Sequence, residues 1–354
     1  MKMGENDISK NQVRKAGENV KDDKATDEDY KTISLWRSKH ISIMTAMVNA
    51  INRKKVKNLK AIIVARRLKR LSSIEFKLKR FPNMKLDTMQ DIAGVRVVFK
   101  ELQQVTNFQM LMEQIYSNED RKIKFKLIST KDYIQEPKDD GYRSIHQIFE
   151  HKDAKMHLEL QIRTQLQHYW ATAVEVLGMK GESKIKQGKG EDYHKEFFKL
   201  SSALFSYTEN TTISSKYKSL SKKDICEKIA ELNQKHNILQ NLSGLAVSVQ
   251  NIERRANEKK ANEKKGYYFI VVLNFEKNKL SIAGFSRKNF AEAKKFYDVC
   301  EQDSKKNQNT DVVLISLDKF RLLKQAYPNY YLDSSSFIGV IEKALQDLDT
   351  RQDR

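Results

Sequence analysis

An α/β fold, a mixed β-sheet flanked by helices with a small α+β module at the C-terminal end, is what this sequence predicts. Three observations lead there. Between Ala61 and Leu177, short β-rich runs alternate with helical patterns, as in a sheet covered by helices. Within that span Leu158 to Thr164 (LELQIRT) alternates apolar and polar residues with period two, as a half-buried strand does. After about Ser215 the chain turns polar and helical, then returns to strand patterns near Tyr267, which marks a second unit.

The elements follow in order. Residues 1–29 are polar, lack the apolar core of a signal peptide, and are expected to form a disordered leader. Tyr30 to Lys60 has Ile41, Met44, Met47, Val48 and Ile51 near helical spacing. Ala61 to Lys69 predicts a strand, and Ser72-Ser73 a cap for a helix running to Arg80. Asp91 to Phe99 predicts a strand, Gln104 to Tyr116 an amphipathic helix and Lys122 to Ile128 a strand. Asp139-Asp140-Gly141 is a turn before a strand from Tyr142 to Phe149; LELQIRT and a helix from Gln165 to Leu177 come next. Residues 30–214 thus form the main domain and 215–265 a helical linker that ends in the duplication ANEKK-ANEKK. Residues 266–354 form the module: a hairpin-like pair (Tyr267 to Asn274, Lys279 to Phe285), a helix from Asn289 to Asp303, a strand from Asp311 to Leu317, and helical segments around Tyr327 to Asp333.

Composition narrows the function. The 354 residues carry a net charge of +20, which implies polyanionic partners such as nucleotides, nucleic acid or an acidic protein. No run approaches the roughly 18 apolar residues of a membrane span, so no membrane association is expected. The two cysteines, Cys226 and Cys300, exclude a Cys-based zinc site or a disulfide framework and fit a reducing cytoplasm.

The chemistry-bearing residues fall in four segments. On the LELQIRT strand Glu159, Gln161 and Arg163 share a face: a carboxylate, an amide and a guanidinium side by side. The plainer reading is one wet face of an antiparallel sheet. Arg67 and Lys69 share a strand face, Ser73 opens the next helix, and Lys77 lies one turn on; together they can cradle a triphosphate without a glycine-rich loop, or form a solvated basic helix. Asp91 heads a strand where a carboxylate can hold Mg²⁺ on nucleotide phosphates, or cap a turn. Lys138, Tyr142 and His146 bring charge, a flat ring and a ring nitrogen together around Gly141, and base stacking on an aromatic is worth roughly 1–3 kcal/mol.

In their order, RLKRLSSIEFK, DIAGVRVVF, DYIQEPKDDGYRSIH and LELQIRTQLQHYW resemble the motifs of the RelA/SpoT-type synthetase domain, over roughly residues 30–210. The resemblance implies a nucleotidyltransferase-like fold and Mg²⁺-dependent transfer of the β,γ-pyrophosphate of ATP to a ribose 3′-hydroxyl. Arg67, Lys69, Ser73 and Lys77 would hold ATP. Asp91 would bind Mg²⁺, and Glu159 would be a second metal ligand or the general base. Tyr142 would stack on the acceptor base, with Lys138 and His146 nearby; Gln161 and Arg163 would order the site. Two departures stand out: Glu175-Val176 replaces the family's usual Glu-His, and two acids precede Gly141. The non-catalytic alternative is a nucleotide- or RNA-binding module that kept the fold.

Two acceptors stay open, GDP/GTP for an alarmone synthetase or the tRNA 3′ end for a translation-blocking toxin. Between Asn52 and Arg80 twelve basic residues face one acid, Glu75, and Arg53, Lys54, Lys55, Lys57 and Lys60 could follow a tRNA backbone. Toxic relatives are controlled by an antitoxin, sometimes fused in the same chain as a phage sensor, through a Tyr-x-x-Tyr element that plugs the ATP site. Tyr327-Pro328-Asn329-Tyr330 resembles that element. The expectation is a C-terminal module that holds Tyr327 and Tyr330 over the Arg67/Lys69 pocket until a protein trigger binds; alternatively these rings fill the module's own core.

Overall fold

A computed structural model describes residues 8–53, 58–117, 123–179, 191–247, 251–254, 267–274, 276–277, 279–306, 310–317, 323–331 and 333–352. Among the described residues, nine strands form one mixed sheet in the order β3-β4-β5-β2-β1-β9-β7-β8-β6. They are β1 (Ile63–Leu68), β2 (Ala93–Phe99), β3 (Phe125–Asp132), β4 (Ile145–His151), β5 (Met156–Thr164), β6 (Asn251–Arg254), β7 (Tyr267–Asn274), β8 (Lys279–Ser286) and β9 (Thr310–Leu317). β2 runs parallel to β5, and β6 to β8; the other pairs are antiparallel. The expected α/β class with a mixed sheet is therefore present.

Helices cover both faces, as the near-continuous apolar runs of β7 and β9 require. They are α1 (Lys10–Lys21), α2 (Asp27–Ile51), α3 (Leu71–Arg80), α4 (Leu102–Tyr116), α5 (Gln165–Met179), α6 (Asp192–Glu209), α7 (Lys222–His236), α8 (Ile238–Val247), α9 (Phe290–Lys306), α10 (Leu323–Ala326) and α11 (Ser335–Gln352). On one face α1 to α4 and α9 close over Val95, Val97, Leu158, Leu160 and Ile162. On the other, α5 to α8, the Leu323–Tyr331 segment and α11 pack on Ile63, Ala65, Val98, Val313 and Ile315. Among the described residues, no helix is long and apolar enough to cross a membrane.

Several expectations are corrected. Part of the disordered leader, residues 1–29, is helical: α1 opens with a Ser9/Gln12 capping box and buries Val13, Ala16 and Val20 against Leu86 and its neighbours. α2 begins at Asp27 after the Thr26 cap and ends at Ile51, not Lys60. α3 has Arg70, not Ser72 or Ser73, as its N-cap residue. The helical linker expected over 215–265 is broken: α7 ends at His236, with Asn237 as its left-handed C-cap (φ 51°), and the separate helix α8 and the strand β6 follow. The ANEKK duplication lies outside the described residues. The largest difference concerns the C-terminal strands, expected in a separate module: β9 pairs with β1 through Arg66↔Ser316 and Arg67↔Ile315, so both parts of the chain share one sheet.

Candidate active site

The site forms where three strand ends align. Register places Arg67 on β1 opposite Gly94 on β2, and Gly94 opposite Glu159 on β5. The next row reads Ala65, Arg96, Gln161 and His146. Period two turns Leu158, Leu160 and Ile162 into the core on the opposite face and leaves Glu159 and Gln161 on the site's face. Gly94 has no side chain between Arg67 and Glu159, and that gap floors a cavity of about 100 Å³. Arg67, Lys69, Asp91, Arg96, Glu159, Gln161 and Tyr327 line it. A cavity with three cations and two carboxylates suits a polyphosphate and a divalent cation.

Each carboxylate has its own holders. Asp91 accepts from Lys69 Nζ at 2.8 Å and pairs with Lys77 Nζ at 3.0 Å, so α3 reaches the site through Lys77. Glu159 Oε1 lies 2.9 Å from His146 Nδ1, and its Oε2 accepts from Gln161 Nε2 at 2.7 Å. Burial opposes the charge on Glu159, but the hydrogen bond and attraction of His146, then Gln161, hold its pKa down to about 2. His146 Nε2 lies 2.9 Å from the Tyr142 hydroxyl, which extends the chain of contacts outward. Lys138 Nζ sits 4.4 Å from the Tyr133 ring centre and 5.1 Å from that of Tyr142. Glu159, Gln161, His146, Tyr142 and Lys138 are therefore contiguous.

Other expected residues sit elsewhere. Ser73 lies in the first turn of α3 but does not line the cavity. Arg163 is buried, at 3% exposure, and turns away from the cavity to donate to His168 Nδ1 at 2.9 Å. Burial, then the charge of Arg96, press its pKa down to about 9. Burial and Arg163 also push the His168 pKa well down, so the ring is neutral and its Nε2–H faces the Gln325 carbonyl at 3.2 Å. Tyr327 lines the cavity, with the Arg96 guanidinium carbon 5.7 Å from its ring centre. Tyr330 lies beside it, and its hydroxyl accepts a hydrogen bond from Arg70. Of the basic run, Arg53 and Lys60 are exposed, while Lys54, Lys55 and Lys57 lie outside the described residues.

Sequence reading gave no site role to Arg96, Arg70 or Asp311, although it set Arg96 on the face opposite Val95 and Val97. Arg96 was within reach, because period two from Gly94 puts it on the site's face. Asp311, which pairs with Arg70 at 2.6 Å, carried no local signal. Glu175, noted only as a departure, stands 3.9 Å from Arg67.

Residues 66–188 match the profile of the region found in RelA / SpoT proteins. Among curated proteins it is similar to GTP pyrophosphokinase YjbM of Bacillus subtilis (strain 168), 33% identical over 132 residues, 35% of this chain and 59% of that protein. It is also similar to GTP pyrophosphokinase YwaC of the same strain, 36% identical over 90 residues, 24% of this chain and 40% of that protein. The chain thus spans less than two thirds of the length of either relative. Among solved structures, small alarmone synthetase 2 from Bacillus subtilis aligns with a TM-score of 0.42 and 22% identity, over 51% of this chain and 95% of that one. Small alarmone synthetase 1 from Bacillus subtilis bound to pppGpp aligns with a TM-score of 0.41 and 21% identity, over 52% and 94%.

Proposed function

We propose that this protein transfers the β,γ-pyrophosphate of ATP to the 3′-hydroxyl of a guanosine nucleotide, GDP or GTP. The observation that carries the reading is the single cavity lined by Arg67, Lys69, Asp91 and Glu159. Arg67, Lys69 and Lys77 neutralise and align the donor phosphates, the main task of a protein in phosphoryl transfer. Tyr142 and Lys138 take the acceptor base. The acceptor oxygen attacks the β-phosphorus, the bond from that phosphorus to the α–β bridging oxygen breaks, and AMP leaves. Two carboxylates fit Mg²⁺, which binds through one or two carboxylates plus substrate phosphates and retains water. When bound, it would spread the phosphate charge. A carboxylate ionised down to about pH 2 is a weak base, so Glu159 suits cation binding, with His146 at hand for the hydroxyl proton.

One observation favours a tRNA acceptor as a second reading. Phe76 and Phe81, at one edge of the basic run, are 40% and 46% exposed, and the Arg80 guanidinium lies 5.8 and 5.6 Å from their ring centres. Exposed rings beside cations suit unpaired bases and a phosphate backbone. The position of Tyr327 supports control by the C-terminal part, with its ring in the donor's place until a protein partner, such as an antitoxin or a phage component, draws it out.

The test uses γ-labelled ATP and Mg²⁺ with GDP, GTP or deacylated tRNA, and follows the label in the parent chain and in Tyr327→Ala. Label on GDP or GTP supports the first reading; label on tRNA replaces it with the second. Faster transfer by Tyr327→Ala supports the plug, and an unchanged rate ends that idea. ATP binding without transfer by either chain leaves a nucleotide-binding module.

A further inference from the structure

We propose that Glu301, on α9 near the far end of the chain, is a positioning residue for the donor site: its carboxylate caps α3 and sets the corner that presents Lys69 and Lys77. The identity of the donor rests on the ATP reading above; the cap rests on geometry alone.

The first N–H groups of a helix have no partner within it. α3 begins at Leu71, and the side chain of its N-cap residue, Arg70, makes no capping bond. The missing acceptor comes from a residue 230 positions away: Leu71 N–H donates to Glu301 Oε1 at 3.2 Å. A carboxylate there also suits the positive end of the helix dipole. Glu301 is held in turn. Arg37 donates to its Oε2 at 2.7 Å and to its Oε1 at 3.2 Å, and the Tyr297 hydroxyl donates to Oε1 at 2.6 Å. Burial opposes the charge, but the attraction and hydrogen bonds of Arg37, then Tyr297 and Leu71, keep the pKa of Glu301 below its ordinary value.

Arg37 completes the grip. Its Nε donates to the Lys69 carbonyl at 3.0 Å. One buried ion pair thus holds the corner on both sides, at the Lys69 carbonyl and at the Leu71 amide. Between them, Arg70 is tied down by Asp311 and by the Tyr330 hydroxyl. Lys69 and Lys77 converge on Asp91 from either side of this corner. A rotation of α3 about the corner therefore moves Lys77 relative to Lys69, and the spacing of two phosphate-binding cations is lost.

The experiment separates positioning from bulk stability. Replacing a buried ion pair with apolar groups of similar size is often neutral for stability, while removing one partner is costly. In the full chain, Glu301→Leu is compared with the double variant Arg37→Met plus Glu301→Leu. Melting and amide exchange of α3 are measured without nucleotide, and ATP affinity in a Tyr327→Ala background, where that ring no longer lines the cavity. Glu301→Leu is expected to lower the melting temperature, to speed exchange at the start of α3 and to weaken ATP binding roughly tenfold. The double variant should regain the melting temperature, yet keep the fast exchange and weak ATP binding, because Leu71 N–H has lost Glu301 and the Lys69 carbonyl has lost Arg37. Parent-like exchange in Glu301→Leu overturns the proposal, as does recovery of ATP affinity together with stability in the double variant. If ATP binds neither the parent nor the Tyr327→Ala chain, the donor reading fails, and the exchange pattern still decides the cap.

Discussion

Glu159 concentrates the physics of the site in one side chain. It is largely buried, which alone would raise its pKa, yet His146 and Gln161 lower it from 4.5 to about 2. A folded-state pKa below the unfolded one contributes stability that is present above the unfolded value and lost as pH falls toward the folded one. The window is therefore from about pH 4.5 down to about pH 2, and the contribution is on the order of 3 kcal/mol. Urea unfolding at pH 5.5 and pH 3 should show the parent losing more stability on acidification than Glu159→Gln. Parallel losses would mean that the His146 contact does not hold in solution. The same substitution removes the charge that faces any cation in the cavity, so transfer should fall at least a hundredfold while the protein stays folded.

At the scale of elements, turns and corners decide what the site can hold. The Lys138 to Tyr142 turn is closed by Gly141 N–H to the Lys138 carbonyl at 2.8 Å and by Asp140, whose Oδ1 accepts from Tyr142 N–H at 2.9 Å. Gly141 has a φ of +91°, and a Cβ there would come within 3.0 Å of Ser202 Cβ and 3.1 Å of a Trp170 ring carbon. Gly141→Ala should therefore destabilise by at least about 1–2 kcal/mol from backbone strain alone and raise the KM for the acceptor through Tyr142. A parent-like melting temperature and KM would show that the turn adjusts at no cost. This turn was legible in the sequence, because Asp-Asp-Gly states its own local geometry. So was β5, whose alternation separates the Leu158 face from the Glu159 face. α1 was not: Val13, Ala16 and Val20 sit at helical spacing in a segment too polar to stand out, although Ser9 and Gln12 spell its cap. The grip of Glu301 on α3 was out of reach, because a 230-residue separation leaves no pattern in either segment.

Taken whole, the molecule makes its C-terminal part a structural neighbour of the site as well as a candidate regulator. β9 covers the edge of β1, the strand that ends in Arg67 and Leu68 just before Lys69. Val313, Ile315, Leu317 and Phe337 pack in one cluster with Ile63, Ala65 and Val98. Cutting the chain after residue 265 would thus uncover an unpaired strand edge and an apolar face, both liabilities for aggregation, and would also remove Glu301 from α3. The expected result is a fragment that aggregates or melts without cooperativity and binds ATP poorly, even though Tyr327 has gone with the cut. A domain that merely sat beside its inhibitor would behave in the opposite way, with a soluble, cooperatively melting and more active fragment. Sedimentation, a thermal melt and the labelled-ATP assay on the fragment distinguish the two. A single-residue change at Tyr327 is therefore the sounder way to open the cavity, because it leaves the pairing of β1 with β9 and the Glu301 contact with α3 in place.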